Sequence, residues 1–222
     1  MISIHKTFNN LHNMKKKSLT EIGTKYNTDK ATGHKFTDFY ERYVSKYNNP
    51  NILEIGIYYG ASLKMWEEYF GKPLIVGVDI NDKKEYESEN IKTIVADQSD
   101  FNQLKECLKY ASEYDIIIDD GSHIIGHQIS TLCNMFPYLK SGGVYICEDL
   151  HTSFIGGQYN PNGDTTSAYD FVYRVGKDND VDTDYATTDQ VSYLRQNISS
   201  VEIFQTYPND YYHSITSAIV KK

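Results

Sequence analysis

Five short aliphatic runs, each closed within two residues by a carboxylate or a glycine, recur along the middle of this chain and leave few folds open. They span residues 51–55 before Gly56, 74–78 before Asp79, 91–95 before Ala96-Asp97-Gln98, 115–118 before Asp119, and 144–147 before Glu148-Asp149. Such runs are too short for helices and lack alternation, as strands buried on both faces of a parallel sheet do. Helical stripes lie between them: Leu63, Trp66 and Phe70; Phe101, Leu104 and Leu108; and Ile129, Leu132, Cys133, Phe136 and Leu139. Strand and helix alternating through short connections predict a doubly wound, mostly parallel α/β sheet. The length of 222 residues suits a single domain of that kind, 1–222.

The flanks are read more loosely. Residues 1–20 form an irregular basic lead-in with scattered Ile4, Phe8, Leu11 and Met14, and 23–30 reads as a polar, turn-rich loop. Phe36, Phe39, Tyr40, Tyr43, Val44 and Tyr47 lie on one helical face, stopped by Asn48-Asn49-Pro50. Residues 1–48 are thus an arm and cap helix, and 49–222 the sheet-bearing core, with 153–192 as loops on the substrate side. Within them 156–164 reads as a loop rich in Gly, Asn and Pro, 167–175 as a short helix, and 178–189 as a solvated acidic loop. Its Asp178, Asp180 and Asp182 have the spacing of a calcium loop, but Thr183 replaces the turn glycine and Asp189 the closing Glu. Residues 201–204 and 214–220 read as two last strands, an antiparallel pair at the sheet edge.

Composition narrows the function. The net charge of -8 and a single basic run, Lys15-Lys16-Lys17, exclude the electrostatic footprint of a nucleic-acid binder. Cys107, Cys133 and Cys147 lie in apolar segments without Cys-x-x-Cys spacing, which predicts reduced core thiols of a cytoplasmic protein. No run approaches a membrane span, and the first residues lack a signal-peptide core. Most of the 20 tyrosines sit at core-facing periodic positions.

In open α/β sheets, ligands bind at the carboxyl ends of the strands. Asp119-Asp120-Gly121-Ser122-His123 therefore marks a site, because capping the next helix needs one of these side chains and not two aspartates with a histidine. The turn Glu54-x-Gly56-x-x-x-Gly60 differs from the three-glycine pyrophosphate turn of dinucleotide binders, and no lysine follows it as in a P-loop. A carboxylate before the turn suits an ammonium-bearing ligand, and Asp79 stands where an acid commonly holds a ribose diol.

Taken together, Leu53-Glu54-Ile55-Gly56 with Gly60, Gly77-Val78-Asp79-Ile80 and Ala96-Asp97-Gln98 resemble the successive motifs of class I S-adenosylmethionine-dependent methyltransferases. Asp119-Asp120-Gly121-Ser122-His123 and the run from Gly142 to Leu150 resemble, more narrowly, the metal-dependent sugar O-methyltransferases of macrolide pathways and bacterial glycan clusters. Thr28-Asp29-Lys30 and His34 match that group too, although Asn27 stands where its usual glycine would be. The resemblance covers roughly residues 20–152. It implies a Rossmann-like sheet of about seven strands with an antiparallel edge pair. It also implies S-adenosylmethionine held by Thr28, Lys30, Glu54, Gly56, Tyr58, Gly60, Ser62, Asp79, Ile80, Asp97, Gln98 and Asp119, with Asp97 and Gln98 at the adenine.

A magnesium ion on Asp120, Glu148 and Asp149 is implied as well, and hard oxygen donors at adjacent strand ends suit Mg²⁺ or Mn²⁺. His123 and His127 at i+4 would be the rival zinc pair, without the Glu of that motif. With Asp120 as ligand, His123 is the expected base that deprotonates a sugar hydroxyl. Loops 28–34 and 156–164 would flank the site. The expected acceptor is a nucleotide-linked or glycan sugar of a bacterial capsule or lipopolysaccharide; the alternatives are an antibiotic sugar or a catalytically silent cofactor-binding module. A homo-oligomer is compatible with this reading.

Overall fold

The computed structural model describes residues 16–177, 180–209 and 212–222. Among them a seven-stranded sheet carries the order β3-β2-β1-β4-β5-β7-β6. Here β1 is Asn51–Ile55, β2 Leu74–Asp79, β3 Ile91–Val95, β4 Tyr114–Asp119, β5 Leu139–Cys147, β6 Ile198–Asn209 and β7 Tyr212–Lys221. β1 to β5 pair in parallel, while β7 runs antiparallel to both β5 and β6. The doubly wound sheet with its antiparallel edge is thus the architecture observed. β6 and β7 extend beyond the expected 201–204 and 214–220.

The aliphatic runs are explained by the two layers they serve. Ile52, Ile75, Ile116, Ile118, Val144 and Ile146 face one core, and Leu53, Val76, Ile117 and Tyr145 face the other. Successive strand residues point to opposite faces, and both faces are covered, so no polar alternation survives. The first core is closed by α1 (Leu19–Tyr26), α3 (Thr37–Val44) and α4 (Ala61–Phe70), with α2 (Asp29–Thr32) between α1 and α3. The second is closed by α5 (Phe101–Leu104), α6 (Ile125–Met135), α7 (Ala168–Gly176) and α8 (Thr188–Asn197). No helix among the described residues is long and apolar enough to cross a membrane.

Four local expectations are corrected. Part of the stretch read as a loop, 23–26, is the second half of α1, and Asp29–Thr32 forms α2. A capping box between Ser18 and Glu21 starts α1, and its buried Leu19 and Ile22 pack under the sheet. The stripe through Leu139 breaks at Met135, because Pro137 lies in a 3-10 turn, Phe136–Tyr138, and Leu139 opens β5. Helix α5 is likewise short and continues as a 3-10 turn, Lys105–Lys109. The end of the acidic stretch is not loop: Thr187 and Gln190 form a second capping box, which puts Asp189 in the first turn of α8. Ile4, Phe8, Leu11, Met14, Lys15 and Asp178 lie outside the described residues.

The strand order reverses between β1 and β4, and there the two segments that follow them nearly touch. Gly56 has φ +86°, and a Cβ on it would stand 2.0 Å from the Asp120 carbonyl oxygen. Asp120 N–H donates to Ile55 O at 2.9 Å, and Glu148 N–H donates to Asp119 O at 2.9 Å, so the ladder continues into the loops. Gly71, with φ +83°, has open space around it. Gly71→Ala should therefore cost about 1–3 kcal/mol from conformation alone. Gly56→Ala should exceed that by about 1–3 kcal/mol, the cost of overpacking. Urea unfolding of both variants is the check, and equal losses would contradict the close approach.

Candidate active site

The reversal point opens a cleft of about 730 Å³ at the carboxyl edge of the sheet. Thr28, Lys30, Gly56, Tyr58, Ser62, Asp79, Asp120, His123 and Asp149 all line it. A second cavity of about 290 Å³ adjoins, lined by Ile80, Asp97, Gln98, Ser122 and His127 among others. Gly56, Asp79 and Gly121 line both. Asp79 thus stands between two compartments, as a ribose-binding acid between a nucleobase and an amino-acid tail would. Its Oδ2 accepts from Ile57 N–H at 3.1 Å and Tyr58 N–H at 3.2 Å, and its Oδ1 from Asn81 N–H at 2.9 Å. The same carboxylate therefore shapes the glycine turn.

Three of the expected cofactor residues stand outside both linings. Glu54 is fully buried on the α4 side, where Trp66 Nε1–H donates to its Oε2 at 3.0 Å. Gly60 N-caps α4 with φ +68° and lies against the Tyr86 ring. Asp119 is buried at the end of β4, where Gln98 Nε2–H donates to its Oδ1 at 2.6 Å and Tyr145 O–H to its Oδ2 at 3.3 Å. Burial pushes the Asp119 carboxyl up to about 7, against the opposing pull of His123 and these hydrogen bonds.

Asp120, His123 and Asp149 converge: one ligand atom from each lies within 4.8 Å of the others. Both His123 (φ +58°) and Asp149 (φ +55°) hold left-handed backbone conformations, which turn their side chains into the cleft. His123 Nε2 lies 3.5 Å from Asp149 Oδ2, and Thr152 Oγ1–H donates to His123 O at 3.1 Å. His123 Nδ1 and Asp149 Oδ1 are buried without a hydrogen-bond partner. Oxygen donors with orphaned buried atoms at one point fit a divalent cation. His127 is not part of this group; its Nδ1 is 2.8 Å from Ser122 Oγ. The zinc pair is therefore not assembled.

Glu148, the third expected metal ligand, is fully buried and directed at Lys30. The Lys30 ammonium, also fully buried, pairs with Asp120, with Glu148 Oε1 at 2.9 Å and with Glu54 Oε1 at 3.5 Å. Burial alone would lower its pKa, but the Asp120, Glu148 and Glu54 carboxylates outweigh that and hold it well above the ordinary value. Burial and the nearby Asp120 push the Glu148 carboxyl well up. Two further histidines flank Asp149. His34 Nδ1 and His151 Nδ1 stand 3.7 and 3.8 Å from Asp149 Oδ1. His34 carried a motif match only, and nothing local marks His151. None of the described residues of 153–192 lines the cleft; within the 156–164 loop, Asn162 and Asp164 instead bind Tyr185.

No family model matches the chain. Two curated relatives are demethylmacrocin O-methyltransferase of Streptomyces fradiae, 39% identical over 68% of this chain and 42% of its own, and mycinamicin VI 2''-O-methyltransferase of Micromonospora griseorubida, 36% identical over 66% and 40%. The chain thus spans about two fifths of the length of the curated relatives it matches. Among solved structures, the MycE methyltransferase of the mycinamycin pathway, in complex with Mg and SAH, superposes with a TM-score of 0.73 at 29% identity. That match covers 93% of this chain and 55% of MycE. MycE is also known in complex with Mg, SAH and mycinamycin VI.

Gln98 offers the first test of the site, because it also accepts from Ser122 N–H at 2.8 Å and so ties Asp119 to the turn before His123. Gln98→Leu should cost about 1–3 kcal/mol, the penalty of stranding a buried carboxylate and an amide. Chemical unfolding at pH 8 measures it, and an unchanged midpoint would show that the clamp carries no weight.

Proposed function

This chain has the class I methyltransferase fold and is related in sequence to the sugar O-methyltransferases, and on that footing we propose that it methylates a sugar hydroxyl with S-adenosylmethionine and a divalent ion. The observation that carries the reading is the convergence of Asp120, His123 and Asp149 in the same cleft as the Gly56 turn and Asp79. The antibiotic-sugar enzymes among its relatives support an acceptor sugar of a secondary metabolite. They lend no support to the capsular or lipopolysaccharide sugar expected from sequence, so the antibiotic alternative is preferred.

In this reading Asp79 accepts the ribose hydroxyls, and the backbone at Gly56 gives room for the methionine portion beside Tyr58 and Ser62. Ile80, Asp97 and Gln98 enclose the adenine. S-adenosylmethionine, when bound, supplies an electrophilic methyl group on a sulfonium. Asp120 and Asp149, with Glu148 behind them, would hold the divalent ion, whose Lewis acidity makes a neighbouring hydroxyl easier to ionise. His123 takes the hydroxyl proton on its imidazole, and Asp149 orients that ring and offsets the charge it gains. The cleft aligns acceptor oxygen and methyl carbon, a contribution of up to ~7–11 kcal/mol in favourable cases.

Calorimetry should show S-adenosylmethionine binding weakened by about 1.5–3 kcal/mol in Asp79→Ala, the loss of a charged acceptor. A mass-shift assay on sugars of the macrolide type should give a gain of one methyl group, abolished by chelator and restored by Mg²⁺ or Mn²⁺. Full turnover in chelator would remove the metal from the reading. His123→Ala should lower kcat by roughly 10²–10⁴ with cofactor affinity retained; undiminished turnover would show that another group is the base.

A further inference from the structure

The acid cluster contains a cation of its own. Lys30 is fixed by α2, whose ends are tied by Phe36 N–H donating to Lys30 O at 2.7 Å and Thr28 N–H donating to Gly23 O at 3.1 Å. Its ammonium pairs with Asp120 Oδ2 and lies 2.9 Å from Glu148 Oε1. One ammonium against Asp120, Glu148 and Glu54 leaves negative charge in excess. Asp120 also reaches the group with His123 and Asp149, whereas Glu148 is absent from that group. Glu148 Oε1 meets Lys30 at ion-pair distance.

We propose that Lys30 is a resident counter-cation that competes with the divalent ion for Asp120, holding the site together without metal and limiting how tightly metal binds. The proposal rests on the metal reading given above. Two cations drawing on the same carboxylate repel each other at close range, and in a buried setting that repulsion is weakly screened. Without the ammonium, the buried carboxylates of Glu54 and Glu148 and the part-buried Asp120 would face each other without a cation, which strongly destabilises a fold. A divalent ion can replace the missing charge, whereas an apolar side chain cannot.

The test uses the full chain, Lys30→Met, and Mn²⁺ as the probe. In chelator, Lys30→Met should melt well below the parent, and saturating Mn²⁺ should restore most of that loss. The same Mn²⁺ should raise the parent's melting temperature far less. By calorimetry, Lys30→Met should bind Mn²⁺ at least tenfold more tightly than the parent. Lys30→Arg, which keeps the charge, should stay within a few-fold of the parent. Equal or weaker Mn²⁺ binding by Lys30→Met, with the parent binding normally, would overturn the proposal alone. Failure of Lys30→Met to fold even in saturating Mn²⁺ would overturn it too, since the ion is meant to substitute. A parent that binds no Mn²⁺ would instead overturn the metal reading, and this proposal with it.

Discussion

Taking an ammonium group out of water is costly unless carboxylates surround it, and Lys30 meets that condition only when four segments have reached their native places. Its partners come from β1, from the loop after β4 and from the loop after β5, while Lys30 itself rides on α2. The pairing of Lys30 with Asp120 joins residues ninety positions apart. Satisfying this one charge therefore docks the N-terminal helices on the sheet and sets the spacing of the strand ends that form the cleft. The stability of the fold and the geometry of the candidate site draw on the same ion pairs.

The sheet was legible because it is buried on both sides. Ile116-Ile117-Ile118 sends its first and third side chains into one core and its second into the other, so the run carries no polar interruption. The site was legible for a related reason: parallel strands deliver their last residues to one edge, which groups Gly56, Asp79, Asp120 and Asp149 without any knowledge of packing. Side-chain direction was not legible. Glu54 and Glu148 stand at strand ends in the sequence, yet both are fully buried against Lys30 and away from open space. Ion pairs between distant segments leave no period in a sequence.

The first and last helices show the other limit. Gly23, Asn27 and Gly33 punctuate a short stretch and read as turns, but Asn27 closes α1 in the left-handed conformation and Gly33 follows α2. The only local sign of α1 was Ser18 three residues before Glu21. For α8 the sign was Thr187 before Gln190, masked by a crowd of aspartates. Both are reciprocal caps, in which side chains satisfy the free N–H groups of a first turn. Short helices with weak stripes depend on such caps more than on apolar periodicity.

Asp79 has a consequence for selectivity. An ionised carboxylate offers roughly four lone-pair positions, and backbone N–H groups of Ile57, Tyr58 and Asn81 already occupy most of them. The side chain cannot turn away without releasing the glycine turn, so its direction is fixed. In the proposed reading, a nucleoside entering here would meet a rigid anion that welcomes a hydroxyl donor. A phosphate on the same ribose oxygen would meet like charge with no room to retreat. In the proposed reading, the turn that shapes the pocket would also act as a filter against 2′- and 3′-phosphorylated nucleotides.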